Sequence, residues 1–117
     1  VKKITPATVR ADFNELNAVV HYARAAHELG LWESERQLIS RFFTEFDAPL
    51  LELGCGAGRV TLGLWTMGFR CLTGIDFANE LIVQARALAE ERGAKAIAFL
   101  HADATDLPFD RLDGREG

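Results

Sequence analysis

Nine consecutive residues constrain this chain more tightly than any others. Leu50-Leu51-Glu52-Leu53 has the length and apolar character of a short buried strand, and Gly54-Cys55-Gly56-Ala57-Gly58 follows it without a break. Three glycines in five residues call for a tight turn whose backbone enters the left-handed region. Arg59 to Met67 then has the pattern of a helix, with Gly68 as its stop. The unit of strand, turn and helix now repeats. Arg70 to Ile75 reads as a second strand ended by Asp76, and Asn79 is a candidate cap for a helix running to Arg92. That helix places Leu81, Ile82, Ala85, Leu88 and Ala89 on one side, and Gly93 follows it. Ala96 to Leu100 is a third strand, leading into His101-Ala102-Asp103. Strands alternating with helices imply right-handed crossovers and a parallel sheet covered on both faces. The expected class is α/β with a doubly wound parallel sheet.

Before residue 49 the pattern is different. Residues 1–47 read as two helices, a lead-in or lid, and 48–117 as the α/β part. Phe13, Leu16, Val20, Ala23 and His27 fall at helical spacing, and Gly30 is the expected stop. Either Asp12-x-x-Glu15 or Thr5-Pro6 marks the start. A second helix is expected from Ser34, with Gln37 three residues later. Its face of Leu38, Ile39, Phe42, Phe43 and Phe46 is expected to pack in the core. The tail from Asp110 to Gly117 is polar and turn-like.

Composition narrows the class further. With 117 residues, 49% hydrophobic and 26% charged, the chain suits one modest globular domain. It does not suit a disordered segment, a collagen-like chain or a disulfide-dense scaffold. Seventeen acidic against 13 basic residues give a net charge of -4, which argues against nucleic acid as a partner. No apolar run approaches the roughly 20 residues of a membrane span. Nothing resembles a signal peptide, so a cytoplasmic, non-membrane protein is expected. Cys55 and Cys71 lie within core sequence and are expected to be reduced thiols. They lack C-x-x-C spacing, and His21, His27 and His101 are scattered, so no metal site is expected.

The chemistry concentrates where strands end. A glycine turn that joins a parallel strand to a helix can present backbone N–H groups and the positive helix end to an anion or polar ligand. The same turn also serves simple packing. The dinucleotide fingerprint G-x-G-x-x-G would need glycine at position 59, where Arg59 stands. Asp76 ends the second strand, where a carboxylate can accept both hydroxyls of a ribose or serve merely as a helix N-terminal charge or turn residue. Asp103 follows the third strand, where a carboxylate can accept from an exocyclic amine such as that of adenine. The N–H of Ala104 beside it can donate to a ring nitrogen. Three strand ends in succession, each with its own polar device, describe a nucleoside site.

Glu52-x-Gly54-x-Gly56-x-Gly58, then Gly74-Ile75-Asp76-Phe77, then Asp103-Ala104-Thr105-Asp106-Leu107-Pro108-Phe109 resemble the class I S-adenosylmethionine-dependent methyltransferases, and more narrowly their small-molecule branch. The acidic residue two before the first glycine is foreign to the dinucleotide fingerprint. The resemblance implies a Rossmann-like fold and S-adenosyl-L-methionine as cofactor. It implies that Glu52 and the turn of Gly54, Gly56 and Gly58 hold the methionine part, and that Asp76 takes the ribose hydroxyls. Phe77 would lie against the adenine ring, with Asp103 and Ala104 at its edge. No catalytic residue is identified by it. Cys55 has no cationic neighbour in sequence and is given no catalytic role. Arg59 reads as a solvated helix residue, or as a partner of the cofactor carboxylate. His101 reads as a structural or solvent-facing loop residue. Tyr22, His21 and Trp32 are candidates for lining an acceptor pocket.

The resemblance also implies a sheet of about seven strands, with the first three forming the cofactor half. Four more strands would need roughly 80 further residues. The strand at Leu50 to Leu53 is therefore expected to have an open apolar edge. A fragment of a longer methyltransferase is the first reading of this. A reduced but complete protein and a homodimer joined through that edge are the others. The expected function is methyl transfer to a small-molecule acceptor that the sequence does not identify. The alternative is a non-catalytic interaction module on the same fold; a nicotinamide oxidoreductase ranks third because of Arg59.

Overall fold

The computed structural model describes residues 16–103. In chain order these form α1 (Leu16–Glu28), α2 (Glu33–Phe42), β1 (Leu50–Leu53), α3 (Arg59–Met67), β2 (Leu72–Asp76), α4 (Asn79–Glu91) and β3 (Ala98–His101). The strands make one parallel sheet in the order β1-β2-β3. Glu52 lies opposite Gly74, and Asp76 opposite His101, so the carboxyl ends of all three strands come to one edge. This is the Rossmann-like α/β arrangement expected.

Coverage of the sheet differs from the expectation. Both crossovers move in the same direction across the sheet, and right-handed crossovers in one direction place both helices on one face. Leu62 of α3 and Ala85 of α4 accordingly converge near Phe99, across from Gly74. Leu51 and Leu53 point to the opposite face and are exposed, whereas Ile75 on that face is fully buried. Among the described residues, one face of the sheet carries the helices. Leu62, Phe69, Leu72, Leu81, Ile82, Leu88 and Phe99 form the core with small partners such as Ala26 and Ala85. Each fully buried large side chain contributes roughly 1.5–3 kcal/mol.

The lead-in corrects two expectations. On α1 the buried residues are Val19 and Ala26, with Ala23 half-buried, while Val20 and His27 are exposed. The packed stripe is thus rotated onto the small residues, which let α1 approach α3 and α4 closely. Helix α2 begins at Glu33, not Ser34, with Trp32 as its N-cap. The Glu35 carboxylate accepts the Trp32 N–H at 2.8 Å, taking the part given to Gln37. Its aromatic face does not enter the core. Leu38 and Phe42 are exposed, Phe42 by 67%, and Ile39 is half-buried against the core. Phe43 and Phe46 lie beyond the helix and are about half exposed, the Phe46 ring centre resting 4.9 Å from that of the buried Phe69. The starts proposed at Thr5-Pro6 and Asp12-x-x-Glu15, residue Phe13, and the tail from Asp110 lie outside the described residues.

Smaller shifts occur at the strands. β2 starts at Leu72 and includes Asp76, and β3 starts at Ala98 and includes His101, so that histidine ends a strand instead of opening a loop. α4 starts at Asn79 but its N-cap is Ala78, and it ends at Glu91 with Arg92 as C-cap. Cys55 is buried and Cys71 exposed; both thiols are free.

Candidate functional site

The glycine turn is held by β2. The N–H groups of Gly54 and Cys55 both donate to the Ile75 carbonyl, at 2.7 and 2.9 Å, and the Gly58 N–H donates to the Cys55 carbonyl. The Gly56 N–H donates to Asp76 Oδ2 at 2.9 Å. Four amide donors that could have faced a ligand are thus engaged inside the protein. What the turn does offer is access. Gly54 and Gly56 have positive φ, and a Cβ at either would meet nothing within 4 Å. A ligand can therefore approach that backbone closely. Gly58 is different. It is buried as the N-cap of α3 with φ 91, and a Cβ there would meet the Phe99 ring at 3.1 Å and Leu62 and Ala85 at 3.3 Å. Its place in the structure is a close contact between helix and sheet.

Asp76 joins two neighbouring elements. Besides holding Gly56 through Oδ2, it accepts the Ala78 N–H through Oδ1 at 2.9 Å, at the start of α4. The residue is only 6% exposed, and its charge sits where α4 presents its positive end. The reading of this residue as a turn residue at the start of a helix is therefore realised, while α4 itself has no side-chain cap. Each carboxylate oxygen keeps a further lone pair for another donor. Phe77, next in the chain, is half-buried and its carbonyl lies 2.9 Å from His101 Nε2, which donates to it. Asp103 is half-buried just past β3. Ala104 lies outside the described residues.

Glu52 points to the helix-covered face of β1, where its Oε1 accepts the Thr61 hydroxyl at 2.6 Å. Burial pushes its carboxyl above the ordinary carboxylate value, opposed by the hydrogen bonds from Thr61 and by the charge of Arg59. Cys55 is buried beside these carboxylates. Burial first, and the charges of Glu52 and Asp76 next, push its thiol far up, so it is protonated and poorly nucleophilic. Among the described residues no cluster of His, Cys, Asp and Glu could hold a metal ion.

Arg59 corrects the sequence reading, for it is neither a free surface residue nor directed at the turn. Its guanidinium makes a bidentate pair with Glu35, at 2.7 and 3.0 Å, and donates to the Gly30 carbonyl at 2.9 Å. It also lies 5.2 Å from the centre of the Trp32 ring. No local pattern announces this contact, because its partners stand 24 to 29 residues away. Thr61 was missed too, although a polar residue on the inner side of α3 was a readable signal. His21 and Tyr22 are exposed and meet edge to face with ring centres 5.6 Å apart.

A family model described as a methyltransferase domain matches residues 50–113. The demethylmenaquinone methyltransferase of Lactococcus lactis is 27% identical over 106 residues, which are 89% of this chain and 40% of that protein. An S-adenosylmethionine-dependent methyltransferase from Thiobacillus denitrificans, crystallised with S-adenosyl-L-homocysteine, superposes with TM-score 0.58 at 27% identity. That match covers 74% of this chain and 36% of the other. The magnesium protoporphyrin IX methyltransferase of Synechocystis, solved with bound S-adenosylmethionine, gives TM-score 0.63 over 92% of this chain and 59% of its own, at 19% identity, a likeness of fold alone. The chain spans less than half the length of the curated relatives it matches.

Proposed function

Because the chain belongs to the methyltransferase-domain family, whose cofactor is S-adenosyl-L-methionine, we propose that it binds this cofactor along the carboxyl edge of β1–β3 for methyl transfer to a small-molecule acceptor. One observation carries the reading: the open backbone of Gly54 and Gly56 lies beside the Asp76 carboxylate, which is itself bonded to that turn. Along this edge the turn and Glu52 hold the methionine part, Glu52 facing its ammonium group. Gly58 acts by holding α3 in place. Asp76 takes the ribose hydroxyls on its remaining lone pairs. Phe77 lies against adenine, and Asp103 with the Ala104 N–H reads its edge.

Bound there, the cofactor would supply an electrophilic methyl group carried on a sulfonium. The chain's own residues bind, orient and exclude water. Alignment of this kind lowers a barrier by several kcal/mol, about 7–11 at the most favourable. A base is needed only where the acceptor must lose a proton. The Lactococcus relative's name makes a quinone-type ring the first acceptor to try. A cytoplasmic site of action belongs to the same reading; among the described residues no helix is long and apolar enough to cross a membrane.

Titration calorimetry with S-adenosyl-L-homocysteine tests the proposal. Saturable binding is expected, and absence of heat at millimolar ligand would defeat it. A second reading has a specific observation behind it: among the described residues no strand pairs with the outer edge of β1, and Leu51 and Leu53 are exposed. Pairing of two copies there predicts a dimer by light scattering, and a monomer at all accessible concentrations would remove it.

A further inference from the structure

Segment 30–35 is docked on α3 by several independent contacts, whereas the helix it leads into is held more lightly, with Ile39 half-buried against the core. Leu31 sits directly over Gly63, where any Cβ would fall 2.2 Å from Leu31 Cγ. Arg59 holds the Gly30 carbonyl and both oxygens of Glu35, and Glu35 holds the Trp32 N–H. Arg59 and Glu35 side chains are each 26% exposed, shielded more than an ordinary surface pair. Beyond this point α2 buries no residue. Arg59 is also the first residue of α3, directly after Gly58, so its backbone belongs to the end of the glycine turn.

We infer that the Arg59–Glu35 pair is a clip that couples occupancy of the glycine turn to the position of α2, making both residues positioning residues and not ligands. The physical basis is geometric. A ligand that settles on Gly54 and Gly56 restrains the turn and hence the first turn of α3. A bidentate guanidinium–carboxylate pair transmits that restraint because its two parallel bonds fix orientation as well as distance. Glu35 and Glu52 both strengthen the protonated form of Arg59, its bond to Glu35 most of all. Trp32, whose ring centre lies 5.2 Å from the same guanidinium, belongs to the clip. This inference rests on the cofactor reading above.

Hydrogen exchange of the whole chain with and without S-adenosyl-L-homocysteine separates the two. In the native protein the ligand should slow exchange at 54–58 and also, at least threefold, at 33–42. In Glu35→Gln, protection at 54–58 should persist while that at 33–42 is lost, and ligand affinity should fall about three- to tenfold. Arg59→Lys, which keeps the charge but not the fork, should behave alike. The exchanged pair Glu35→Arg with Arg59→Glu should recover part of the protection. Equal protection at 33–42 in Glu35→Gln and native protein overturns the clip, as does protection confined to 54–58 in the native protein. If the native protein shows no protection at 54–58, the cofactor reading fails and the clip with it. Far-ultraviolet circular dichroism of each variant identifies any loss of fold, and the Lys variant then decides.

Discussion

Five residues of α4 are buried, Leu81, Ile82, Ala85, Leu88 and Ala89, whereas α2 buries none of its ten. Both helices have amphipathic sequences, and α2 carries the larger aromatic groups at its end. Connection makes the difference. Helix α4 runs between two adjacent parallel strands, so the crossover lays it on the sheet and its apolar stripe must meet Leu72 and Phe99. Helix α2 precedes the first strand and has no such constraint. It is held at its N-terminal end by Arg59, Glu35 and Leu31; Ile39 rests half-buried against the core, and Leu38 and Phe42 meet solvent. An apolar period thus specifies which side of a helix can be buried, and the connection to the sheet supplies what buries it.

The sharpest way to break this contrast is a matched pair of truncations. Leu81→Ala should lower unfolding free energy by about 2–5 kcal/mol, since Leu81 is fully buried. Leu38→Ala should change it by no more than about 0.5 kcal/mol. Urea denaturation measures both, and similar losses would show that α2 is packed after all. Asp76→Ala comes next. It leaves the Gly56 and Ala78 N–H groups without their acceptor, so about 1.5–3 kcal/mol of stability should vanish together with S-adenosyl-L-homocysteine binding. Loss of binding with unchanged stability would show that the carboxylate serves only the ligand.

Glu35→Gln probes the weakly held region and should have a smaller effect, under about 1 kcal/mol, since the pair is partly solvated. The bond to Arg59 lowers the Glu35 pKa from its ordinary 4.5, so the contribution is full above that pH and fades as pH falls through the lowered value. A difference between native and variant protein that persists in strong acid would contradict this origin. The smallest effect belongs to Glu52. Burial raises its pKa, so the folded state binds more protons than the unfolded state above pH 4.5, and the charge opposes folding as pH rises. Glu52→Gln should therefore match the native protein at low pH and become the more stable of the two toward neutrality. A pH series of thermal melts checks the sign.

Local pattern made much of the site legible. The glycine turn and Asp103 follow strands and Asp76 ends one, and a parallel sheet brings strand ends together whatever the side chains do. The double duty of Asp76, towards Gly56 and Ala78, was half readable, because a strand end before a helix invites a turn residue. The contact of Arg59 with Glu35 was not readable, since neither residue has a period or motif that names a partner 24 positions away. The rotated stripe of α1 escaped for a related reason: spacing allowed either Val20 or Val19 to face inward, and closeness to α4 selected the side with the alanines.

By itself the sequence determined the alternation of strands and helices, the left-handed turn at Gly54 and Gly56, and the line of polar residues at the carboxyl edge. All of these follow from local backbone preference and from the fixed geometry of a parallel crossover. Tertiary structure alone decided that one face of the sheet carries the helices, that Gly58 faces the core while Gly56 faces out, and that Arg59 belongs to the lead-in. Those outcomes depend on which distant surface arrives first at a given side chain. A one-dimensional period carries no record of that.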